Sequence, residues 1–222
     1  MKLFHKLIFS LIIFGAAACG KESALKKETL DFQPESKGWI TNDTIRSHFV
    51  VVDDNGISSS FTMQQNSHYF ITSTSSILGI TTNLTNREYH FQGYGSTYGI
   101  PFSLSLSAGF KPFGDELYID LARVGFAYDL KFETITRVNT DFGNKSKNMS
   151  NNAYEPGDGM LSTVEILSSF STSYHDYETV LYFQLLDFED KWDDFTVVKI
   201  YVAKGIGLVK YELNNGLSFE RQ

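Results

Sequence analysis

The residues best suited by type and spacing to chemistry are acidic side chains gathered in one stretch, 187–194. Carboxylate oxygens are the ligands that a hard cation such as Ca²⁺ prefers. The candidate cation ligands are Asp187, Glu189, Asp190, Asp193 and Asp194. As a calcium-binding EF-hand loop the stretch fails, because lysine and tryptophan occupy positions that need a ligand and a glycine. A solvated hairpin loop is the favoured interpretation, and cation binding is the alternative.

No other stretch predicts catalysis or a bound cofactor. The glycine-rich segment 93–99 lacks the third glycine of a dinucleotide-binding loop. Nucleophile-elbow, zinc-protease and phosphate-loop motifs are absent from the sequence. The histidines beyond the first twenty residues are not at metal-ligand spacing: His48, His68, His90 and His175. We therefore expect no cofactor, and a noncatalytic protein is favoured over an enzyme.

The N-terminus combines a basic start, an apolar run from Leu7 to Phe14 and small residues that end at Cys19. This is the order of a secretory signal peptide, and the run is too short to cross a bilayer as a helix. Cys19 is the only cysteine in the chain. It stands where the lipobox of bacterial envelope lipoproteins has its lipidated residue, so the N-terminus resembles that class. The resemblance implies removal of residues 1–18 and acylation of Cys19, with palmitate as one chain, so that the protein is anchored to a membrane.

The residues after Cys19 bear on location. Gly20-Lys21-Glu22 lacks the aspartate that usually retains a lipoprotein at the inner membrane, which favours the outer membrane. The Lys21-Glu22 pair resembles a shortened surface-export signal of Bacteroidota lipoproteins, although a plain charged tether is the slightly favoured interpretation. Both the periplasmic-facing and the cell-surface location therefore stay open. A formal net charge of −7 argues against nucleic acid as a partner.

The remainder of the chain reads as strands separated by turns. Residues 19–38 are rich in charged and polar side chains and predict a tether, briefly helical around Ala24–Leu30. Residues 39–222 predict a single β-rich domain in which turn formers at 139–159 make a mobile loop. The predicted strands are His48–Val52, Ile57–Met63, Tyr69–Thr74, Ile77–Thr82, Glu88–Tyr94, Phe102–Ala108, Leu117–Leu121, Phe126–Arg137, Met160–Phe170, Glu178–Leu186, Thr196–Ala203, Gly207–Leu213 and Leu217–Glu220.

The C-terminal third carries a second resemblance. The run Ala203-Lys204-Gly205-Ile206-Gly207-Leu208-Val209-Lys210 resembles the terminal motif of envelope lipoprotein families that are similar to half-barrel lipoprotein carriers. The similarity covers about residues 174–213 and implies a large curved antiparallel sheet. The fold class expected is mainly β, as such a sheet or half-barrel with one possible helix, and a β-sandwich is the alternative. Gly205 and Gly207 are predicted to turn the chain between strands 196–203 and 207–213.

Strand alternation then predicts an apolar concave face formed by Phe183, Leu185, Ile200 and Leu208. Alternation also pairs Val198 with Ile200 on one face, and Ile206 with Leu208 opposite Val209 and Tyr211. An open face would bind an acyl chain, whereas a covered face would be core. The function expected is a noncatalytic, membrane-anchored envelope lipoprotein that binds a hydrophobic ligand, a glycan or a protein partner. The alternative is a hydrolase acting on envelope or extracellular polymer.

Overall fold

The computed structural model of the chain describes residues 26–40, 47–77, 80–110, 112–122, 124–140, 143–146, 162–186 and 196–222. Regular structure in these ranges is β-strand, apart from a 3₁₀ turn at Lys37–Trp39. The strands are β1 (Lys26–Leu30), β2 (His48–Asp53), β3 (Ser58–Ile77), β4 (Ile80–Ser96), β5 (Pro101–Ser107), β6 (Glu116–Leu121), β7 (Val124–Asp129), β8 (Thr134–Thr140), β9 (Gly143–Ser146), β10 (Ser162–Ser171), β11 (Asp176–Leu185), β12 (Val197–Ala203), β13 (Gly207–Leu213) and β14 (Ser218–Arg221).

All of these strands belong to one sheet. Its order is β10-β11-β12-β13-β14-β2-β3-β4-β5-β6-β7-β8-β9, and β1 pairs with β4 outside this path. Strands that follow one another in the chain are neighbours in the sheet from β2 to β9 and from β10 to β14. Strand β14 joins β2 as an antiparallel neighbour through Phe219 opposite Asp53. The expectation of a mainly β protein with a large antiparallel sheet is therefore confirmed, and the described residues form one sheet rather than the two of a sandwich.

The chain divides into two compact units. The smaller unit contains Met1–Thr29 and Thr72–Asn86, and the larger contains Leu30–Ile71 and Arg87–Gln222. In the described part of the smaller unit, the Thr72 hydroxyl donates a hydrogen bond of 2.8 Å to the side-chain oxygen of Asn86. The larger unit holds the apolar core and both cavities described below.

The sheet of the larger unit curves until its inner face meets itself. Phe126 on β7 stacks on Phe183 on β11 with ring centroids 4.1 Å apart, although these strands are distant in sheet order. The predicted concave residues Phe183, Leu185, Ile200 and Leu208 all belong to this core, each with 0% of its surface exposed. The predicted face exists, but the opposite side of the same sheet covers it. It is core and not an open binding surface.

Two β-bulges make part of the predicted alternation wrong. The pairing of β12 with β13 shifts between Val197 and Lys199, so Val197 rather than Val198 shares the main core with Ile200. It shifts again between Tyr201 and Val202, whose partners are Lys210 and Leu208. A bulge adds one residue to one strand and reverses the faces that follow it.

The second bulge falls at Val209. Leu208 and Tyr211 therefore face the main core together, whereas Val209 packs in a smaller cluster on the other face with Ile206. The turn that joins β12 to β13 does follow the prediction. Gly205 and Gly207 adopt φ of 71° and 90°, a left-handed region that side chains avoid.

Other strand boundaries differ because pairing overrides local sequence. The predicted strand Tyr69–Thr74 is part of the 20-residue β3, and Glu88–Tyr94 lies within the 17-residue β4. The predicted strand Phe126–Arg137 divides into β7 and β8 around a turn. The predicted helix near Ala24–Leu30 is wrong where it is described, because β1 pairs with β4 there.

The boundaries of the predicted tether and of the predicted loop also differ from those in the structure. Leu30 and Phe32 are buried in the main core, so the packed fold begins before Trp39. Within the predicted loop 139–159, residues 139 and 140 end β8, and β9 pairs with β8 through Asn139 opposite Asn144. Residues 141–142 and 147–161 lie outside the described part of the chain.

Candidate functional site: a cavity at the turns of the sheet

The structure describes only some of the residues that were singled out in the sequence. Cys19 and the acidic residues Asp187, Glu189, Asp190, Asp193 and Asp194 lie outside the described ranges. Across those ranges, His, Cys, Asp and Glu side chains form no group of three or more that could hold a metal ion. Two of the histidines are surface residues: His48 contacts Thr62, and His175 packs edge-on against Tyr177.

A cavity of about 330 Å³ lies at the end of the larger unit where several hairpins turn. It is at the small end of the range of roughly 300–1,000 Å³ in which small-molecule sites fall. Its walls come from strand ends and turns that are far apart in sequence. The lining residues are Asp53, Ile57, Ser59, Tyr98, Ile100, Ala122, Val197, Tyr211, Leu213, Leu217 and Phe219. We call it the turn-end cavity.

Hydrogen bonds within two turns fix the residues at the rim of the turn-end cavity. The Asp53 carboxylate accepts hydrogen bonds from the backbone N–H groups of Asn55 and Ile57 at 3.0 and 2.6 Å. Gly56 supplies the φ of 81° that lets the chain reverse between β2 and β3. In the β13–β14 turn, the Asn215 side chain accepts from Leu217 N–H at 3.0 Å in the same manner. These turns hold Ile57 and Leu217 at the cavity, with Ile57 53% exposed.

Two of the residues that line the turn-end cavity carry buried hydroxyl groups. The side chains of Ser59 and Tyr211 are almost fully enclosed, and neither hydroxyl oxygen has a hydrogen-bond partner within the described ranges. The Tyr211 ring stacks on Phe219 at 4.6 Å. Burial raises the pKa of Tyr211 well above its ordinary value, and the negative charge of Asp53 raises it further. Tyr211 therefore keeps its proton at neutral pH and remains a hydrogen-bond donor.

A second, smaller cavity of about 230 Å³ lies elsewhere in the larger unit, and it brings two of the histidines together. His68 Nε2 is 2.8 Å from Glu88 Oε1, while the other Glu88 oxygen accepts from Phe32 N–H at 2.6 Å. His90 Nε2 is 2.7 Å from Asn66 Oδ1. Burial lowers the pKa of His90, the neighbouring His68 lowers it further, and the Glu88 carboxylate opposes the change.

Among the described residues, the lining of neither cavity combines a hydroxyl or thiol nucleophile with a histidine or lysine base. The histidine cavity is lined by Phe32, Lys37, Ile40, His68, Glu88, His90 and Leu106, which include no hydroxyl or thiol nucleophile. The turn-end cavity contains the Ser59 hydroxyl, but no histidine or lysine lines it. Nucleophilic catalysis needs the nucleophile and its base within hydrogen-bond reach of one another.

Sequence patterning missed the turn-end cavity because its walls come from many separate elements. Strand alternation in the sequence singles out Tyr211 among its polar residues, but it does not connect Tyr211 with Ser59. The detectable signals were the two turn sequences, Asp54-Asn55-Gly56 and Asn214-Asn215-Gly216, each followed directly by an apolar residue. An apolar residue at an exposed turn is compatible with a cavity rim, although it does not specify one.

Comparison with protein-family models, curated proteins and solved structures finds no match for this chain. The site must therefore be interpreted from its own geometry. In the ranges that the structure describes, no helix has the length and apolar content to cross a membrane.

Proposed function

We propose that this chain is a noncatalytic lipoprotein of the bacterial outer membrane, anchored through Cys19, that binds a small and mainly apolar ligand in the turn-end cavity. The observation that carries the ligand is a pair of buried hydroxyls, which have no hydrogen-bond partner among the described residues and belong to Ser59 and Tyr211 in the lining of an apolar pocket. A buried hydroxyl without a partner costs about 1–3 kcal/mol. A ligand with one polar group recovers that cost, while its apolar body contacts Ile100, Leu213 and the other aliphatic walls.

The negative charge of Asp53 restricts which polar group the ligand can carry. Asp53 is 7% exposed and lies near enough to Tyr211 to raise its pKa. A carboxylate on the ligand would meet this negative charge in a poorly solvated pocket, where repulsion is strong. A neutral hydroxyl or carbonyl meets no such penalty and can accept from the Tyr211 hydroxyl. The ligand class proposed is therefore a neutral amphiphile of modest size, such as a medium-chain alcohol, and not a fatty acid.

The anchor rests on the sequence. The small residues before Cys19, the short apolar run and the absence of a following aspartate support acylation and sorting to the outer membrane. One acyl chain binds a membrane only marginally, so stable attachment needs several. Which face of that membrane the protein occupies stays open between the periplasmic side and the cell surface.

Displacement of an apolar fluorescent probe from the purified chain tests the ligand. We expect 1-decanol to displace the probe more effectively than decanoate at pH 7.5. Tyr211→Phe should weaken displacement by 1-decanol by roughly two- to tenfold, the worth of one hydrogen bond. Tyr177→Phe is the matched control, because it removes a buried phenol hydroxyl that lies in the smaller cluster on the other face.

Three outcomes would contradict the proposed ligand. The first is no binding of the probe or of 1-decanol. The second is equal displacement by decanoate and 1-decanol, and the third is equal loss in the Tyr211→Phe and Tyr177→Phe variants. The anchor is tested separately, by mass spectrometry of the protein purified from its host. Absence of acyl chains on Cys19 would overturn that part alone.

The hydrolase alternative has less support. The His68–Glu88 contact is an arrangement that could act as an acid–base pair. Among the described residues that line its cavity there is no hydroxyl or thiol nucleophile, and the glutamate also accepts from Phe32 N–H, which indicates a role in packing the segment around Phe32.

A further inference from the structure

Three exposed phenylalanine side chains lie in two connections at one end of the sheet of the larger unit. Phe110 and Phe113 lie in the β5–β6 connection, and Phe132 lies in the β7–β8 connection. Their exposed fractions are 42%, 39% and 50%, and the rings of Phe113 and Phe132 are 6.4 Å apart. We call these three residues the phenylalanine patch. Large apolar residues clustered at the surface indicate an interaction site more strongly than the same residues scattered singly.

Buried hydrogen bonds hold the patch in place. Asp129, 2% exposed, accepts from the backbone N–H groups of Lys131 and Phe132, both at 2.9 Å, through one carboxylate oxygen. Its other oxygen accepts from Gly114 N–H at 3.1 Å, so a single carboxylate fixes both connections. Gly109 and Gly114 approach so closely that a Cβ on Gly109 would lie 1.8 Å from the Gly114 carbonyl oxygen. The exposed rings are therefore displayed by an ordered base.

Two cations flank the exposed rings. The Arg87 guanidinium lies 4.4 Å from the ring centre of Phe110. The Lys131 ammonium lies 5.3 Å from the ring centre of Phe132 and donates to the Pro112 carbonyl at 2.7 Å. Phenylalanine beside basic side chains is the composition of segments that lie at a membrane surface, where the rings enter the apolar boundary and the cations meet phosphate groups.

The segment that follows β1 is bonded to the β5–β6 connection beside this patch. Asp115 accepts from Gly109 N–H at 3.0 Å with one oxygen and from Gln33 N–H at 2.7 Å with the other. β1 begins at Lys26, seven residues after Cys19, and seven residues span at most about 25 Å when fully extended. A short tether gives an effective concentration on the order of millimolar, so a patch of weak affinity is enough to keep contact with the surface.

We propose that the phenylalanine patch rests on the lipid surface that carries the anchor, and this inference depends on the anchor part of the proposed function. Because neighbouring strands are antiparallel, the β5–β6 and β7–β8 connections lie at one end of the sheet of the larger unit. Tyr98 and Ile100, in the β4–β5 connection at the turn-end cavity, lie at the other end. Contact through the patch therefore holds the cavity mouth away from the bilayer, open to the aqueous phase.

Site-specific quenching tests this orientation. The full chain is coupled through Cys19, its single thiol, to a maleimide lipid in vesicles of phosphatidylethanolamine and phosphatidylglycerol, half of them made with brominated acyl chains. Coupling in vitro makes the test independent of acylation in the cell. Fluorescence of Phe132→Trp is compared with that of Tyr98→Trp, and the signal of the parent chain with its native tryptophans is subtracted. Phe113→Trp repeats the measurement at a second patch position.

We expect bromine to quench the added tryptophan of Phe132→Trp and Phe113→Trp at least twofold more than that of Tyr98→Trp. Equal quenching at both ends, or none at the patch, would overturn the proposal. The other possible occupant of the patch is a second copy of the chain, and light scattering of the uncoupled chain detects such a dimer. A dimer that dissociates in Phe132→Ser would assign the patch to a second copy of the chain and would also overturn membrane contact. Probe displacement by 1-decanol tests ligand binding in the turn-end cavity independently. Failure of the proposed membrane contact therefore does not imply failure of the proposed ligand, or the reverse.

Discussion

Phe126 and Phe183 stack nearly parallel, with their planes inclined by 10° and their centroids 4.1 Å apart. They lie 57 positions apart in the sequence, on β7 and β11, which are on opposite stretches of the sheet order. The contact forms only because the sheet curves onto itself. It converts the apolar face of a single sheet into a closed core without any helix in the described residues to cover it.

Phe183→Ala should therefore destabilise the protein strongly. The side chain is fully buried, and removing a buried phenyl group costs about 3–5 kcal/mol in lost transfer free energy and cavity formation. Unfolding in urea, followed by circular dichroism, measures this change. Phe132→Ala, at a position that is 50% exposed, is the control and should change the free energy of unfolding by no more than about 0.5 kcal/mol. Similar losses in both variants would contradict the closed core.

Gly207→Ala should cost about 1–2 kcal/mol for a purely conformational reason. Gly207 has a φ of 90°, and no atom lies within 4 Å of a Cβ built there, so steric clash with neighbours makes no contribution. Gly207→Asn should cost less, because asparagine tolerates the left-handed region better than alanine. The midpoint of thermal unfolding is the readout. If alanine proves as stable as glycine, the turn does not need its left-handed conformation.

Asp129→Asn should weaken the base of the phenylalanine patch. The carboxylate accepts three backbone N–H groups, and an amide in its place presents an N–H₂ group to at least one of them. Each hydrogen bond to a charged group contributes about 1.5–3 kcal/mol, so we expect a loss of that order. Hydrogen exchange should increase at Gly114 and Phe132. Asp176→Asn, at an exposed carboxylate bonded to Ser171, is the control and should leave both amides protected.

Acidification should destabilise the protein through His90. Burial, with His68 adding to it, lowers the pKa of His90 below its unfolded value of 6.5. The unfolded chain thus binds the proton more readily, and stability falls as pH decreases through about 6.5 towards the folded pKa. His68, Glu88 and Lys37 line the same cavity and are unchanged in the comparison.

The matching measurement is the free energy of unfolding between pH 7.5 and 5 for the wild type, His90→Gln and His48→Gln. The His90 variant should lose less stability on acidification than the wild type. The exposed His48 variant should follow the wild type. A His90 variant with the same pH slope as the wild type would show that other groups carry the dependence.

Much of the fold can be predicted from the sequence alone, because strands and turns depend on residues that are close together in the chain. Alternating β-branched and aromatic runs predicted most strands, and Asn55-Gly56 and Asn215-Gly216 predicted two of the hairpins. Gly205 and Gly207 predicted the β12–β13 turn, since only glycine adopts those positive φ angles without strain. The sequence is also the sole basis for the proposed acylation of Cys19.

Tertiary structure decided what local pattern leaves undetermined. The bulges at Val198 and Val209 reverse the faces of neighbouring residues, and they depend on the register of a paired strand. Covering of the Phe183 face depends on curvature accumulated over many strands. The turn-end cavity unites Ser59 with Tyr211, which are far apart in the chain and have no shared motif. Strand identity depends on near neighbours along the chain, whereas faces, cavities and exposed patches depend on which distant strands meet, and only the folded sheet determines that.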